Sequence, residues 1–452
     1  MRSLVYGLAV TGASTVRALS RRGHEVVVVD DQVDDAKRAL ADELGVELLS
    51  TPVALDALVA ECDLVSPSPG VPETHEVIAA ARRHSVPVRS EIELAYQWEQ
   101  DRPGGARPIL AVTGTDGKTT TSLLAAAMLT AAGLRTVAAG NTDIPLVDAL
   151  ELELDAYVVE CSSFRLAWTE QFRADAALWL NQAPDHLNWH RSSSTYEAAK
   201  ARLFDLQRPS DVAIGYIDDP VVMRHLDGAA ARHVTFGRAR ADYHLAGELL
   251  CGPTGTIASV GSMRRRLPHD ITNALAATAL VVETGLTDVA TAGRAITTFV
   301  GPRHRIEPLG ARDGVRWFND SKATTPHAAA VAIRGFDHVV LIAGGRNKGL
   351  DLSPMAAEPQ RLRAVVAIGE SAPEITDLFA PLCPVVRADS MEAAVAAAAD
   401  AARGGDAVLL SPGCASFDWY PVGGYSARGD HFRRLVAEIV GVGKADRKAD
   451  RP

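Results

Sequence analysis

Short runs of β-branched and aliphatic residues alternate with Ala- and Leu-rich amphipathic stretches along most of the chain. Brief apolar runs bounded by Gly, Asp or Ser read as strands buried on both faces. In the first hundred residues such runs fall at 4–7, 26–30 and 64–66, with helical patterning between them. The segment from Gln100 to Pro108 sets Gly and Pro among polar residues and reads as a linker. Beyond it, strands are predicted at 156–159 and 176–180 and a helix over 270–284. A third block opens at Gly301-Pro302, with strand patterns at 339–343, 364–368 and 407–410 separated by Ala-rich helices. Strands alternating with helices predict parallel sheets throughout. The expectation is α/β in three domains, 1–104, 105–300 and 301–452.

Composition supports this division. A chain of 452 residues suggests roughly three domains, and 47% apolar residues can fill several cores. A net charge of −10 argues against non-specific nucleic-acid binding, which needs a basic surface. Five scattered cysteines without a C-x-x-C pair read as reduced thiols in a cytosol, with no zinc site and no disulfide framework. Arg2 followed by an apolar run imitates an export signal. The run is broken by Gly7 and continues into a βαβ pattern, so it reads as the first strand. No run is long enough to span a membrane.

The chemistry concentrates at 109–122. A β-branched run feeds the turn Gly114-Thr115-Asp116-Gly117-Lys118-Thr119, which opens an Ala- and Leu-rich helix. Such a loop aims backbone N–H groups and a helix N-terminus at phosphate. Lys118 would reach the outer phosphates, and the Thr119 hydroxyl would sit on Mg²⁺. The strict phosphate-loop pattern is shortened, with Val112 where its first glycine belongs. The alternative is a surface turn with a solvated lysine. Glu160 ends a buried strand, where it could hold Mg²⁺ with Thr119. His186 follows Asp185 just past another strand and is read as a ligand-side residue, with His190 left structural. Asn273 could pair an adenine edge or simply cap a helix. At the amino end, Gly7 to Gly12 with Asp30 imitates a dinucleotide fingerprint, but Ala9 replaces its second glycine.

The phosphate loop, together with Asp185-His186-Leu187-Asn188-Trp189-His190, Thr272-Asn273-Ala274-Leu275-Ala276-Ala277, Asp320-Ser321-Lys322-Ala323-Thr324 and Ser411-Pro412-Gly413-Cys414-Ala415-Ser416-Phe417-Asp418, resembles the Mur ligase superfamily over nearly the whole chain. Members join amino acids to carboxylates using ATP. The resemblance implies an N-terminal Rossmann-like UDP-binding domain, a central P-loop ATPase-like domain and a C-terminal Rossmann-like domain. It implies ATP contacts at Gly114 to Thr120, Asn273, Arg305 and Asp320. It implies metal contacts at Thr119, Glu160, His186 and Lys200, with Lys200 carbamylated, and catalytic roles for Lys118, His186 and Lys200. The sugar-nucleotide site would comprise Thr11, Gly12, Asp30, Asp31, Ser68, Pro69, Gly70 and Asn141. The amino-acid site would comprise Lys322, Thr324, Lys348, Ser416 and Phe417. The implied reaction adds D-glutamate to UDP-N-acetylmuramoyl-L-alanine in peptidoglycan synthesis, by a cytoplasmic monomer that uses ATP and Mg²⁺ and binds neither nucleic acid nor membrane. Alternatives are a related ligase using L-glutamate, a folyl-polyglutamate-type ligase, which lacks the first domain, or a nucleotide-binding regulator. The chain departs from the family at Asp116 (usually Asn), at Asp143 (Gly), at Asp31-Gln32 (Thr-Arg) and in the longer segment 421–427.

Overall fold

The computed structural model describes residues 1–51, 53–186, 189–347 and 349–441. They form two compact units. One comprises Met1–Arg266 with Asp270–Phe299, the other Leu267–His269 with the chain from Val300 onward. The first unit contains two parallel sheets. In the amino-terminal sheet the strand order is Glu47–Ser50, Glu25–Asp30, Arg2–Tyr6, Leu64–Pro67. The order reverses beside Arg2–Tyr6, which opens a crevice beyond the carboxyl ends of that strand and Leu64–Pro67.

The middle sheet runs Arg232–Phe236, Val212–Tyr216, Ala176–Trp179, Ile109–Thr113, Ala156–Glu160, Thr136–Gly140. Side chains alternate across it with the period of two that a strand imposes. Leu110 and Val112 enter a core packed by the helices Lys118–Ala131 and Pro268–Val282. Ile109 and Ala111 enter a second core with Tyr157 and Trp179 on the opposite face. The phosphate-loop strand Ile109–Thr113 is therefore buried on both faces, which explains its unbroken apolar character. Its register pairs Val112 with Glu160, so that carboxylate stands level with the loop.

The second unit carries six strands in the order Glu307–Arg312, Val315–Asn319, Ala407–Leu410, Val339–Gly344, Leu362–Ile368, Val385–Ala388. The expectation of parallel sheets throughout fails twice. Glu307–Arg312 pairs antiparallel with Val315–Asn319. The strands His244–Ala246, Leu249–Gly252 and Gly255–Ser259 form a small antiparallel sheet of their own. Gly247-Glu248 and Pro253-Thr254 make two-residue turns, too short for a helical crossover, and a hairpin is the only connection they allow. The cysteines are free thiols. Among the described residues no helix is long and apolar enough to cross a membrane.

Candidate functional site

The phosphate loop is built from both sides. Gly117 caps the helix Lys118–Ala131 in a left-handed conformation at φ +84°. A Cβ there would lie 2.6 Å from Asn273 Oδ1. Asn273 thus packs against the loop from within the helix Pro268–Val282. Its place inside that helix removes the capping alternative. The N–H groups of Thr115 and Asp116 do not point outward. Both donate to Asn181 Oδ1, at 3.0 and 2.9 Å. The N-cap residue Gly117 brings no side chain to the first helical turn, whose N–H groups suit an anion. Lys118 folds across the loop and donates to the carbonyls of Gly114 and Thr115 at 2.7 and 2.9 Å. Thr119 and Thr120 follow it in that turn.

Beside the loop, Glu160 is buried at the end of its strand. Its Oε1 accepts from Asn141 Nδ2 at 2.9 Å, while Oε2 has no partner among the described residues. An unpaired buried carboxylate oxygen is costly, so a cation suits the site. Lys200, 1% exposed, reaches the other flank from the helix Ser193–Asp205. Its Nζ donates to Thr115 Oγ1 and Gln182 Oε1, both at 2.9 Å, and lies 4.1 Å over the Tyr196 ring. Burial lowers its pKa to about 6, helped by Lys118 and opposed by Asp185, Asp116 and Asp219. His186 has a left-handed backbone at φ +56° and stacks edge-on with Phe164. Burial holds its imidazole below the usual range, against the pull of Asp185. Among the described residues no three His, Cys, Asp or Glu side chains form a ready metal cluster. The predicted metal set instead draws on a hydroxyl, a single carboxylate, an imidazole and a lysine.

The crevice of the amino-terminal sheet is a cleft of about 930 Å³. It gathers Thr11, Asp30, Asp31, Ser68, Pro69, Gly70 and Asn141 from the predicted sugar-nucleotide set. Gly12 lies beneath it. A Cβ on Gly12 would fall 1.9 Å from the Gly7 carbonyl oxygen, so its role is close backbone packing. Asp30 braces the turn, accepting from Leu8 N, Gln32 N and Lys37 Nζ at 2.7–2.8 Å. Burial pushes its pKa up, but these donors outweigh burial and leave it low. Asp31 accepts from Tyr6 OH at 2.6 Å. The cleft also presents Lys37, His75 and Arg165, to which no sequence motif pointed.

In the second unit, Asp320 accepts from Ile306 N at 3.1 Å and Ser411 Oγ at 2.7 Å, tying two strand-end loops together. The fully buried Arg428 ties two more, donating to the Ser321 hydroxyl and to the carbonyls of Ser321 and Cys414. Desolvation lowers its pKa to about 10. Lys322 lies 5.6 Å over the Tyr425 ring, and Thr324 N donates to the Lys322 carbonyl at 2.9 Å. Ser416 is buried and Phe417 half exposed. Arg305 sits between two left-handed residues, His304 at φ +59° and Ile306 at φ +45°. Lys348 lies outside the described residues.

A phosphate loop, a cation-ready carboxylate and a separate polar cleft on α/β sheets define a nucleotide-using enzyme. Residues 1–90 match the Mur ligase MurD-like N-terminal domain, 112–281 the Mur ligase middle domain and 304–414 the Mur ligase glutamate ligase domain. The chain is 42% identical to the UDP-N-acetylmuramoylalanine–D-glutamate ligase of Frankia casuarinae, covering 96% of this chain and 93% of that one. It is 37% identical to the Streptomyces avermitilis protein of the same name, covering 96% and 97%. The fold is shared with the MurF ligase of Thermotoga maritima in complex with ADP, at TM-score 0.59, 14% identity and coverage of 95% and 92%. It is also shared with the UDP-N-acetylmuramate–alanine ligase MurC of the same organism, at TM-score 0.58, 19% identity and coverage of 98% and 100%. The chain belongs to the Mur ligase family of ATP-dependent amide ligases.

Proposed function

We propose that this protein joins D-glutamate to UDP-N-acetylmuramoyl-L-alanine through an acyl phosphate formed with ATP. The supporting observation is a shared wall. Asn141 lines the sugar-nucleotide cleft and donates to Glu160 beside the phosphate loop. A carboxylate at the far end of a ligand in that cleft would meet the γ-phosphate at this wall. In the first step a carboxylate oxygen attacks the γ-phosphorus and ADP leaves. In the second, the amine attacks the acyl carbon, phosphate leaves and the nitrogen loses a proton. Lys118 and the first-turn N–H groups of its helix hold the phosphoryl oxygens as charge builds on them.

Thr119, Glu160 and His186 would hold Mg²⁺, which spreads the charge of the transferring group. Lys200 has the burial and the low pKa that keep an amine neutral at pH 7, the form that adds CO₂ with loss of a proton. The resulting carbamate is an anion suited to a cation. Thr11 and Gly12 are assigned to the diphosphate of the sugar nucleotide, Asp30 and Asp31 to its uridine, and Ser68, Pro69, Gly70 and Asn141 to the rest of its site. Asn273, Arg305 and Asp320 are assigned to ATP. Lys322, Thr324, Lys348, Ser416 and Phe417 are assigned to glutamate. ADP release should be fast with UDP-N-acetylmuramoyl-L-alanine and D-glutamate, and much slower with L-glutamate or other amino acids of either hand. L-Glutamate outrunning D-glutamate would overturn the substrate, and no ADP release with any amino acid would overturn the reaction.

A further inference from the structure

Arg165 is buried where the sugar-nucleotide cleft meets the phosphoryl site. Its Nε lies 3.2 Å from Glu91 Oε2, its Nη1 donates to Asn141 Oδ1 at 2.6 Å, and its Nη2 donates to Thr11 Oγ1 at 3.0 Å. Glu91 is itself buried, and its Oε1 accepts from Val147 N at 3.0 Å. A guanidinium offers only donors. Asn141 must therefore turn its oxygen to Arg165 and its NH₂ to Glu160. The reverse orientation would set NH₂ against the guanidinium and oxygen against the Glu160 carboxylate. The amide occupies Glu160 Oε1 and leaves Oε2 as the oxygen without a protein partner.

We propose that Arg165 is a positioning residue that couples occupation of the sugar-nucleotide cleft to cation binding at Glu160. This rests on the reading above that the cleft takes the sugar nucleotide and Glu160 the cation. A ligand that engages Thr11 or Asn141 acts on the same guanidinium, and one amide passes the effect to the carboxylate. Linkage makes the coupling reciprocal.

The test is Mn²⁺ binding to the full chain, followed by titration calorimetry with a non-hydrolysable ATP analogue. It is run with and without saturating UDP-N-acetylmuramoyl-L-alanine, in the absence of glutamate. In the unaltered protein the sugar nucleotide is expected to tighten Mn²⁺ by about 10-fold. The double variant Glu91→Gln/Arg165→Met removes both charges, so neither is left buried alone. It should bind Mn²⁺ roughly 10-fold or more weakly, with dependence on the sugar nucleotide reduced below about 2-fold. Arg165→Lys keeps the charge but loses the planar fork, and should lose the coupling as well. If the double variant fails to fold, Arg165→Lys alone decides. Full Mn²⁺ affinity and coupling in either variant would reduce Arg165 to a packing partner of Glu91 and overturn the proposal. So would an unaltered protein that binds the sugar nucleotide with no effect on Mn²⁺. An unaltered protein that fails to bind the sugar nucleotide would overturn the functional reading instead.

Discussion

Lys200 sits in a helical stretch, Glu197-Ala198-Ala199-Lys200-Ala201-Arg202, whose composition alone would suit a solvated surface. The fold buries it, and desolvation wins over three attracting carboxylates. A neutral amine at pH 7 follows. Lys200→Ala should lower kcat by about 100-fold or more, in the range seen when one charge-stabilising group is lost. Added formate or acetate should restore part of that rate by supplying the missing anion. Steady-state kinetics with and without carboxylate check this, and full activity in the variant would return Lys200 to a packing role. Lys118 differs in kind, because its bonds to the Gly114 and Thr115 carbonyls hold it across the phosphate loop, where the sequence already placed it.

At the scale of elements, the seam between the amino-terminal and middle sheets is closed by His190. Its ring nitrogens meet Glu73 Oε1 at 2.8 Å and Ser163 Oγ at 2.9 Å, and Phe164, Trp189 and Tyr196 surround it. Burial lowers its pKa, against the pull of Glu73. The folded value lies below the ordinary histidine value of about 6.5, so on acidification the unfolded chain takes up the proton first. The stability contribution is therefore full above about pH 6.5. It falls as pH drops through that value and levels off below the folded one. His190→Gln should flatten this part of the pH dependence, measured as the difference in urea midpoint between variant and unaltered protein from pH 8 to 5. The helix Val10–Arg21 meets a second constraint at Gly12. Gly12→Ala should cost about 1–3 kcal/mol of stability, as overpacking does, and weaken the sugar nucleotide. Unchanged urea melts would show that the turn can yield.

For the whole molecule, the two proposed nucleotide sites lie on separate sheets, joined by the bond from Arg165 to Thr11. Lys118→Ala should abolish ATP-dependent ligation while the sugar nucleotide still binds in a calorimetric titration. Equal loss of both would contradict two distinct sites. Net charge favours neither site, since the chain carries −10 overall. Anion binding must come from local groups, such as the helix turn at Lys118 and the Lys37 and Arg165 side chains that line the cleft.

Where chemistry depends on local order, the sequence by itself was sufficient. The phosphate loop, the strand that ends at Glu160 and the turn at Gly7 are contiguous, and their strand–turn–helix order is set by short-range patterning. The antiparallel sheet at 244–259 was missed because its strands are short and its turns carry little signal. The tertiary structure alone decided the pairing of buried polar groups. Arg165 meets Thr11 across 154 positions, and Lys200 meets Thr115 across 85. It alone placed Asn181 on the loop N–H groups and Asn273 inside a helix rather than at its start. It also turned Asp30 into a brace. A buried donor or acceptor must find a partner wherever the packed sheets bring one, and nothing in its sequence neighbourhood says where that will be.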